Sequence, residues 1–208
     1  MLGIHDFWLF LLSGILLNLA PGQDTFYILG RSIAGGTRIG VVSVLGIGTG
    51  SIIHTLAAAL GLSTLLAASP TAFTIVKLAG AAYLVYLGAR MLFAKSSAHA
   101  IAEQAGQCDF FGAYRQGVLS NVLNPKVALF FIAFLPQFID VATPHKIAAF
   151  LALGSTFVLT GTLWCLVLAI GAARCRTFFI TNPPIRTIVD RCVGGVFVAL
   201  GMRLALTR

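Results

Sequence analysis

Charge is what this chain has least of. Only 10% of its 208 residues are charged, where an ordinary soluble domain carries about 25%. Acidic residues number six against fourteen Lys and Arg. Cysteine occurs four times, at Cys108, Cys165, Cys175 and Cys192, with no C-x-x-C pair, so zinc-ribbon and dithiol patterns are missing and the thiols read as structurally bland. Strands of about ten alternating residues, the mark of an outer-membrane barrel, are absent too. Asp24, His54 and Cys165 are too few and too scattered for a metal site, which gathers several ligands. Neither a metal nor a cofactor is expected.

What is abundant is apolar sequence. Hydrophobic residues make up 58% of the chain and the mean hydropathy is +0.95. They arrive in long runs, and about 20 such residues cross the hydrocarbon layer of a bilayer. Six spans can be drawn, at 7–29, 39–66, 73–93, 118–138, 147–173 and 188–206. Each is expected to be helical, because in lipid a helix satisfies every backbone group within its own segment. The first run is too long for a signal-peptide core and lacks an A-x-A site, so it reads as a helix of the mature protein.

The net charge of +8 invites a nucleic-acid reading. A bilayer explains it better, since Lys and Arg collect on cytoplasmic loops. Arg31 and Arg38 follow the first span, Arg90, Lys95 and Arg115 the third, and Arg174, Arg176, Arg186 and Arg191 the fifth. These nine of the fourteen basic residues fall on one side. The other side has Lys77, Lys146, Arg203 and Arg208. Both termini are therefore expected outside.

One polar connector, 94–115, divides the chain into halves that resemble each other. Asn18-Leu-Ala-Pro21-Gly22 in the first span is echoed by Asn121-Val-Leu-Asn124-Pro125 in the fourth. Leu87-Gly-Ala-Arg90 closes the third and Leu200-Gly-Met-Arg203 the sixth. Three helices is an odd number, so the second half must enter from the opposite face. The expectation is an all-α membrane protein forming a single transporter domain of six helices. Repeat 1 covers about 7–93, repeat 2 about 118–206, and the two are inverted, an arrangement in which secondary transporters place sites on discontinuous helices near the midplane.

The candidate site follows from the breaks. Proline removes a backbone hydrogen bond, so the first helix should kink or unwind at Pro21-Gly22 and the fourth at Asn124-Pro125. Asn18, Gln23, Thr25, Asn121 and Asn124 are the polar residues placed to cover the freed groups. Asp24 is the one acid clearly inside a span and Lys126 the one such base. An ionised group in hydrocarbon costs at least about 2.5 kcal/mol, so both should face an interior cavity, where pairing would relieve them. The plainer alternative is two Pro-kinked helices with structural charges. His54, mid-span, reads either as a hydrogen-bonded structural residue or as a proton relay. Gly46-x-x-x-Gly50, with Gly48 between, reads as close helix packing or as a dimer face; no strand precedes it, so it is no nucleotide loop.

Pro21-Gly22-Gln23-Asp24, the glycine-rich second span ending near His54, KLAGAAYLVYLGARML at 77–92 and NVLNPKVALFFIAFLPQFI at 121–139 together resemble the lysine exporter superfamily. The branch they are most similar to is that of homoserine, threonine and leucine efflux proteins, and the resemblance covers essentially the whole chain. It implies a bacterial cytoplasmic-membrane exporter of amino acids or related metabolites, driven by the proton gradient. The family's first-helix motif is commonly P-G-P-N; here Gln23 and Asp24 stand at its last two positions, which draws attention to Asp24 as a proton or cation site. Export of a cation or other metabolite, a small channel and an integral-membrane enzyme are the competing classes. Clustered catalytic groups and rings of repeated polar residues are not seen in the spans.

Overall fold

A computed structural model describes residues 2–62 and 109–174, with isolated positions between 71 and 89 and at 198 and 202. Apart from those positions, the expected spans at 73–93 and 188–206 lie outside the described residues, as do connector residues 94–108. Within them the chain is helical. Helix α1 is Phe7–Leu19, α2 is Gln23–Ala57, α3 is Phe110–Val122, α4 is Pro125–Leu129 and α5 is Lys146–Arg174. A π-turn extends α2 over Ala58–Leu62, and α4 continues through a π-turn at Phe130–Phe134 and a 3-10 turn at Leu135–Phe138.

Gln23–Leu62 and Lys146–Ala172 are each long and apolar enough to cross a membrane, and Phe110–Val122 with Pro125–Phe138, bent by 47°, supply a third span if taken as one. The 29 residues of α5 reach about 43 Å, more than the hydrocarbon thickness of about 30 Å. The 13 residues of α1 and of α3 reach only about 20 Å each, so neither crosses without the segment beyond its break.

Helix α2 is two helices. Gly36 has φ 76 and ψ −177, a conformation that glycine adopts without steric cost. The chain reverses there, because a Cβ on Gly40 would run into Ser32. Contacts confirm the reversal. Asp24 bonds Asn121 and Arg31 bonds Gln116, so 23–35 runs antiparallel to α3. Gly46 lies against Tyr114 and Gly117, and Gly50 against Asn121, so 37–57 runs parallel to it. Helix α5 runs with α1, since Gly14 meets Phe157 and Gly161 meets Asn18. It runs against 37–57, where Gly40 meets Ala169 and Gly154 meets Thr55. Thus α1 and 23–35 form one broken helix, antiparallel to the broken helix α3–α4.

Three expectations change here. The helix that leads into the fourth span begins at Phe110, well before 118: Tyr114, Arg115 and Gln116 made this stretch look like loop, yet Tyr114 bonds Thr49 and Gln116 bonds Arg31. Arg31 is not in a loop; it is buried in 23–35, bonded to Gln116 and 5.5 Å from the Tyr27 ring centroid. The link between the first two spans is one glycine. Gly46 and Gly50 face α3, since a Cβ on Gly46 would strike the Tyr114 carbonyl oxygen and one on Gly50 would stand 2.7 Å from Asn121 Cβ. The small-residue face is therefore consumed inside the subunit.

Two apolar clusters fill the bundle's ends. Phe10, Phe130, Phe131, Phe134, Phe138, Phe150 and Phe157 dominate one, with Phe130 and Phe157 stacked at 4.4 Å between centroids. Tyr27, Ile28, Val44, Ile47, Leu168 and Ala172 make up much of the other. The outer face of α5 shows Leu159, Leu163 and Val167, spaced to lie on one helical face, while Ser43, Ser51, Thr55, Asn121 and Asn124 are buried. Apolar outside with polar groups within suits lipid.

Candidate functional site

Each broken helix stops for two or three residues. Helix α1 ends as Ala20 leaves helical geometry at ψ 115, and Gly22 is extended at φ −148, ψ −169. The first helix is thus broken, not merely kinked. Helix α3 ends at Val122, and Asn124 at ψ 108 restarts the chain as α4 with Pro125 in its first turn. Pro125 loses nothing there, because the first N–H groups of a helix have no intrahelical partner.

The two charges occupy matching places. Asp24 is the second residue after one break and Lys126 the second after the other. Each reaches across to the last turn of the other half's leading helix. Asp24 Oδ1 accepts from Ser120 Oγ at 3.1 Å and Oδ2 from Asn121 Nδ2 at 2.8 Å. Lys126 Nζ donates to the carbonyls of Leu17 at 3.1 Å and Ala20 at 2.8 Å. Leu17 and Ser120 are each third from the end of their helix, so the exchange is near-reciprocal. The helix dipole favours the cation at the C-terminus of α1 and the anion at the N-terminus of 23–35.

Between them lies a cavity of about 40 Å³, room for two or three water molecules when one needs about 10–15 Å³. Leu17, Asn18, Asp24, Ser51, Asn121 and Lys126 are among its lining. All four ends of the two broken helices meet there. Asn121, 1% exposed, is the hub: its Oδ1 accepts from Ser51 Oγ at 3.2 Å, its Nδ2 holds Asp24, and its carbonyl meets His54 Nε2 at 3.2 Å. Asn18 Nδ2 is buried with no partner among the described residues. A buried unpaired donor is costly, and this one belongs to a residue that lines the cavity.

Of the residues singled out from sequence, Asn18, Gly22, Asp24, Asn121 and Lys126 line this cavity, as does Thr25. Five others are not among its lining. Gln23 is exposed. Pro125 is exposed and opens α4. Asn124 is buried and caps α4, its Oδ1 accepting from the Lys126 N–H at 3.0 Å. His54 stacks on Phe131, 5.7 Å between centroids, and its Nε2 lies 3.2 Å from the Asn121 carbonyl oxygen. Pro21 acts by breaking the helix. Sequence reasoning missed Ser51, Ser120, Gly161, Thr162 and Cys165. A hydroxyl within an apolar helix commonly bonds the carbonyl four residues back, as Thr55 does to Ser51, so nothing marked Ser120 out. Among the described residues no three His, Cys, Asp or Glu side chains gather as metal ligands.

The chain matches the family model for LysE type translocators over residues 15–208. It is 30% identical over 203 residues to the leucine efflux protein of Salmonella typhimurium, covering 98% of this chain and 96% of that one. It is also 34% identical over 208 residues to an uncharacterised membrane protein of Pseudomonas aeruginosa, with 98% and 96% covered. A Vibrio cholerae membrane protein is 32% identical over 211 residues, 99% of this chain and 98% of that protein. No solved structure matches. The chain belongs to the LysE type translocator family: it is a multi-pass membrane transporter, not an enzyme.

Proposed function

We propose that this LysE type translocator exports an amino acid, of the aliphatic kind represented by leucine, across the bacterial cytoplasmic membrane in exchange for protons. The observation that carries the reading is the pair of oppositely charged side chains lining one cavity at the meeting point of two broken helices. An amino acid presents one cation and one anion, and the cavity holds a partner for each. Asn18 Nδ2, buried and without a partner among the described residues, is a further donor for the substrate carboxylate. Family membership and the similarity to leucine efflux proteins support the substrate class.

The cavity is smaller than an amino acid, so it represents a closed state. The phenylalanine cluster closes one end. At the other, Tyr27 Oη donates to the Ala113 carbonyl at 2.6 Å and Arg31 to Gln116. Alternating opening of these two seals is the transport cycle we envisage. The antiparallel broken helices support two inverted three-helix repeats within one domain. With the exposed Arg38 and Arg115 at the Tyr27 end, that end would face the cytoplasm and the termini the outside. Asp24 is the proton carrier in this scheme: protonation weakens its hold on Asn121.

The test is uptake of a panel of amino acids into everted membrane vesicles. Leucine or a close aliphatic relative should accumulate when a proton gradient is imposed, and a protonophore should abolish it. No accumulation of any amino acid would sink the reading; accumulation indifferent to the protonophore would remove the proton. Thr37→Cys, exposed beside the Gly36 turn, should resist a membrane-impermeant thiol reagent added to intact cells.

A further inference from the structure

The break in the first helix follows from one missing hydrogen. In a helix the carbonyl of one residue accepts from the N–H four residues on, so the Leu17 carbonyl would accept from residue 21. That residue is Pro21, which has no N–H. The Ala20 carbonyl would likewise accept from Asp24, but the backbone has left helical geometry at Ala20 and Gly22. Leu17 and Ala20 are both buried, and a buried carbonyl without a donor is expensive. The Lys126 ammonium supplies the donors for both, at 3.1 and 2.8 Å. Gly22 leaves the space: a Cβ there would stand 3.1 Å from Nζ.

We infer that the Leu17 and Ala20 carbonyls form a subsite for a primary ammonium group, that Lys126 fills it in the closed state, and that the α-ammonium of the transported amino acid displaces Lys126 from it. The identity of the incoming ligand rests on the export reading; the ammonium subsite does not. The exchange is balanced. One ammonium replaces another, each with N–H donors and one positive charge, so both carbonyls stay covered and no charge is added at the carbonyls. The displaced Lys126 remains tethered in the cavity, where the substrate carboxylate becomes its partner. A zwitterion thus relieves the charge it displaces. A simple amine brings no anion and must still compete with Lys126, so it should bind the native protein poorly.

The test uses the full-length protein in detergent with Cys108, Cys175 and Cys192 replaced by serine. Cys165 lines the cavity, so its alkylation rate reports occupancy, and thermal unfolding gives a second readout. Ethylammonium chloride is titrated against sodium chloride on the native residue and on Lys126→Ala. Ethylammonium should protect Cys165 and stabilise Lys126→Ala at concentrations at least about tenfold lower than it needs with Lys126 present, a factor that one charge-assisted hydrogen bond supplies. Sodium should do neither. Equal ethylammonium sensitivity in the two proteins, or sodium as effective as ethylammonium, overturns the inference. Should Lys126→Ala fail to survive extraction, extraction in ethylammonium should recover folded protein where sodium does not, and failure to recover it overturns the inference equally. If the native protein transports no amino acid while ethylammonium behaves as stated, the export reading fails and the ammonium subsite stands.

Discussion

The two breaks differ in where their cover comes from. At Leu123-Asn124 the partners are local. The Leu123 N–H returns to the Leu119 carbonyl and the Asn124 N–H to the Asn121 carbonyl, both at 3.0 Å, and the Asn124 side chain caps the Lys126 N–H. At Pro21-Gly22 the N-cap is a glycine with no side chain to offer, and the Leu17 carbonyl is covered by a residue 109 positions further along. The second break is a property of the eight residues from Leu119 to Lys126. The first is completed only when the other half docks, and anything that moves Lys126 reopens it. A local cap makes a fixed bend; a borrowed one makes a bend that a ligand can address.

The largest blow to that contrast is Lys126→Ala. It strands two buried carbonyls, and stability should fall by about 2–4 kcal/mol, with efflux falling further than protein level, as read by denaturant unfolding and vesicle uptake. Adding Pro21→Ala should recover part of the loss, because residue 21 again offers an N–H to Leu17. Strict additivity in that double-mutant cycle would show that the two residues are not serving the same carbonyl.

Asp24→Asn comes next. The amide cannot take up a proton, so on the proposed proton exchange efflux should persist with an altered pH profile. An unchanged pH profile would reduce Asp24 to a tether for Asn121. Stability should drop by about 1 kcal/mol, since two charge-assisted bonds become neutral ones: the amide oxygen still accepts from Asn121 Nδ2, while its NH₂ must donate to Ser120 Oγ, reversing that bond.

Asn124→Ala removes a cap and should cost about 1 kcal/mol, independently of any change at Pro21. The local character of the second break would be refuted if that cost depended on Pro21. The smallest effect belongs to Gly22→Ala. The extended backbone accepts alanine, and the gain in chain stiffness offsets the push on Lys126, leaving stability within about 1 kcal/mol of the native value; the efflux rate, which needs Lys126 to move, should still change.

Much of this molecule was legible as sequence. Both breaks, the paired asparagines Asn18 and Asn121, and the two charges stood out because lipid tolerates so few polar residues that each one is conspicuous. Arg31 was misplaced for the same reason: a guanidinium beside a glycine pair reads as loop, and only Tyr27 and Gln116, from two segments, show how it is buried. Gln23 was expected to cover the break beside Asp24, yet the helix that starts at Gln23 turns one side chain outward and the next into the cavity. Ser51 and Ser120 carried no signal at all.

The sequence by itself determined that the chain lies in a membrane, that its spans are helices, and that two of them break where they do. Those outcomes follow from covalent facts that act over a few residues: apolar runs long enough for a bilayer, and Pro21 without an N–H. Only the tertiary structure decided which groups meet at the breaks. Asp24 finds Ser120 and Asn121, and Lys126 finds Leu17 and Ala20, about a hundred residues away. Such partners are chosen by how two antiparallel broken helices dock, at glycines such as Gly46 and Gly117 where the backbones nearly touch. No local pattern encodes that choice, because it depends on the depth and rotation of one helix against another.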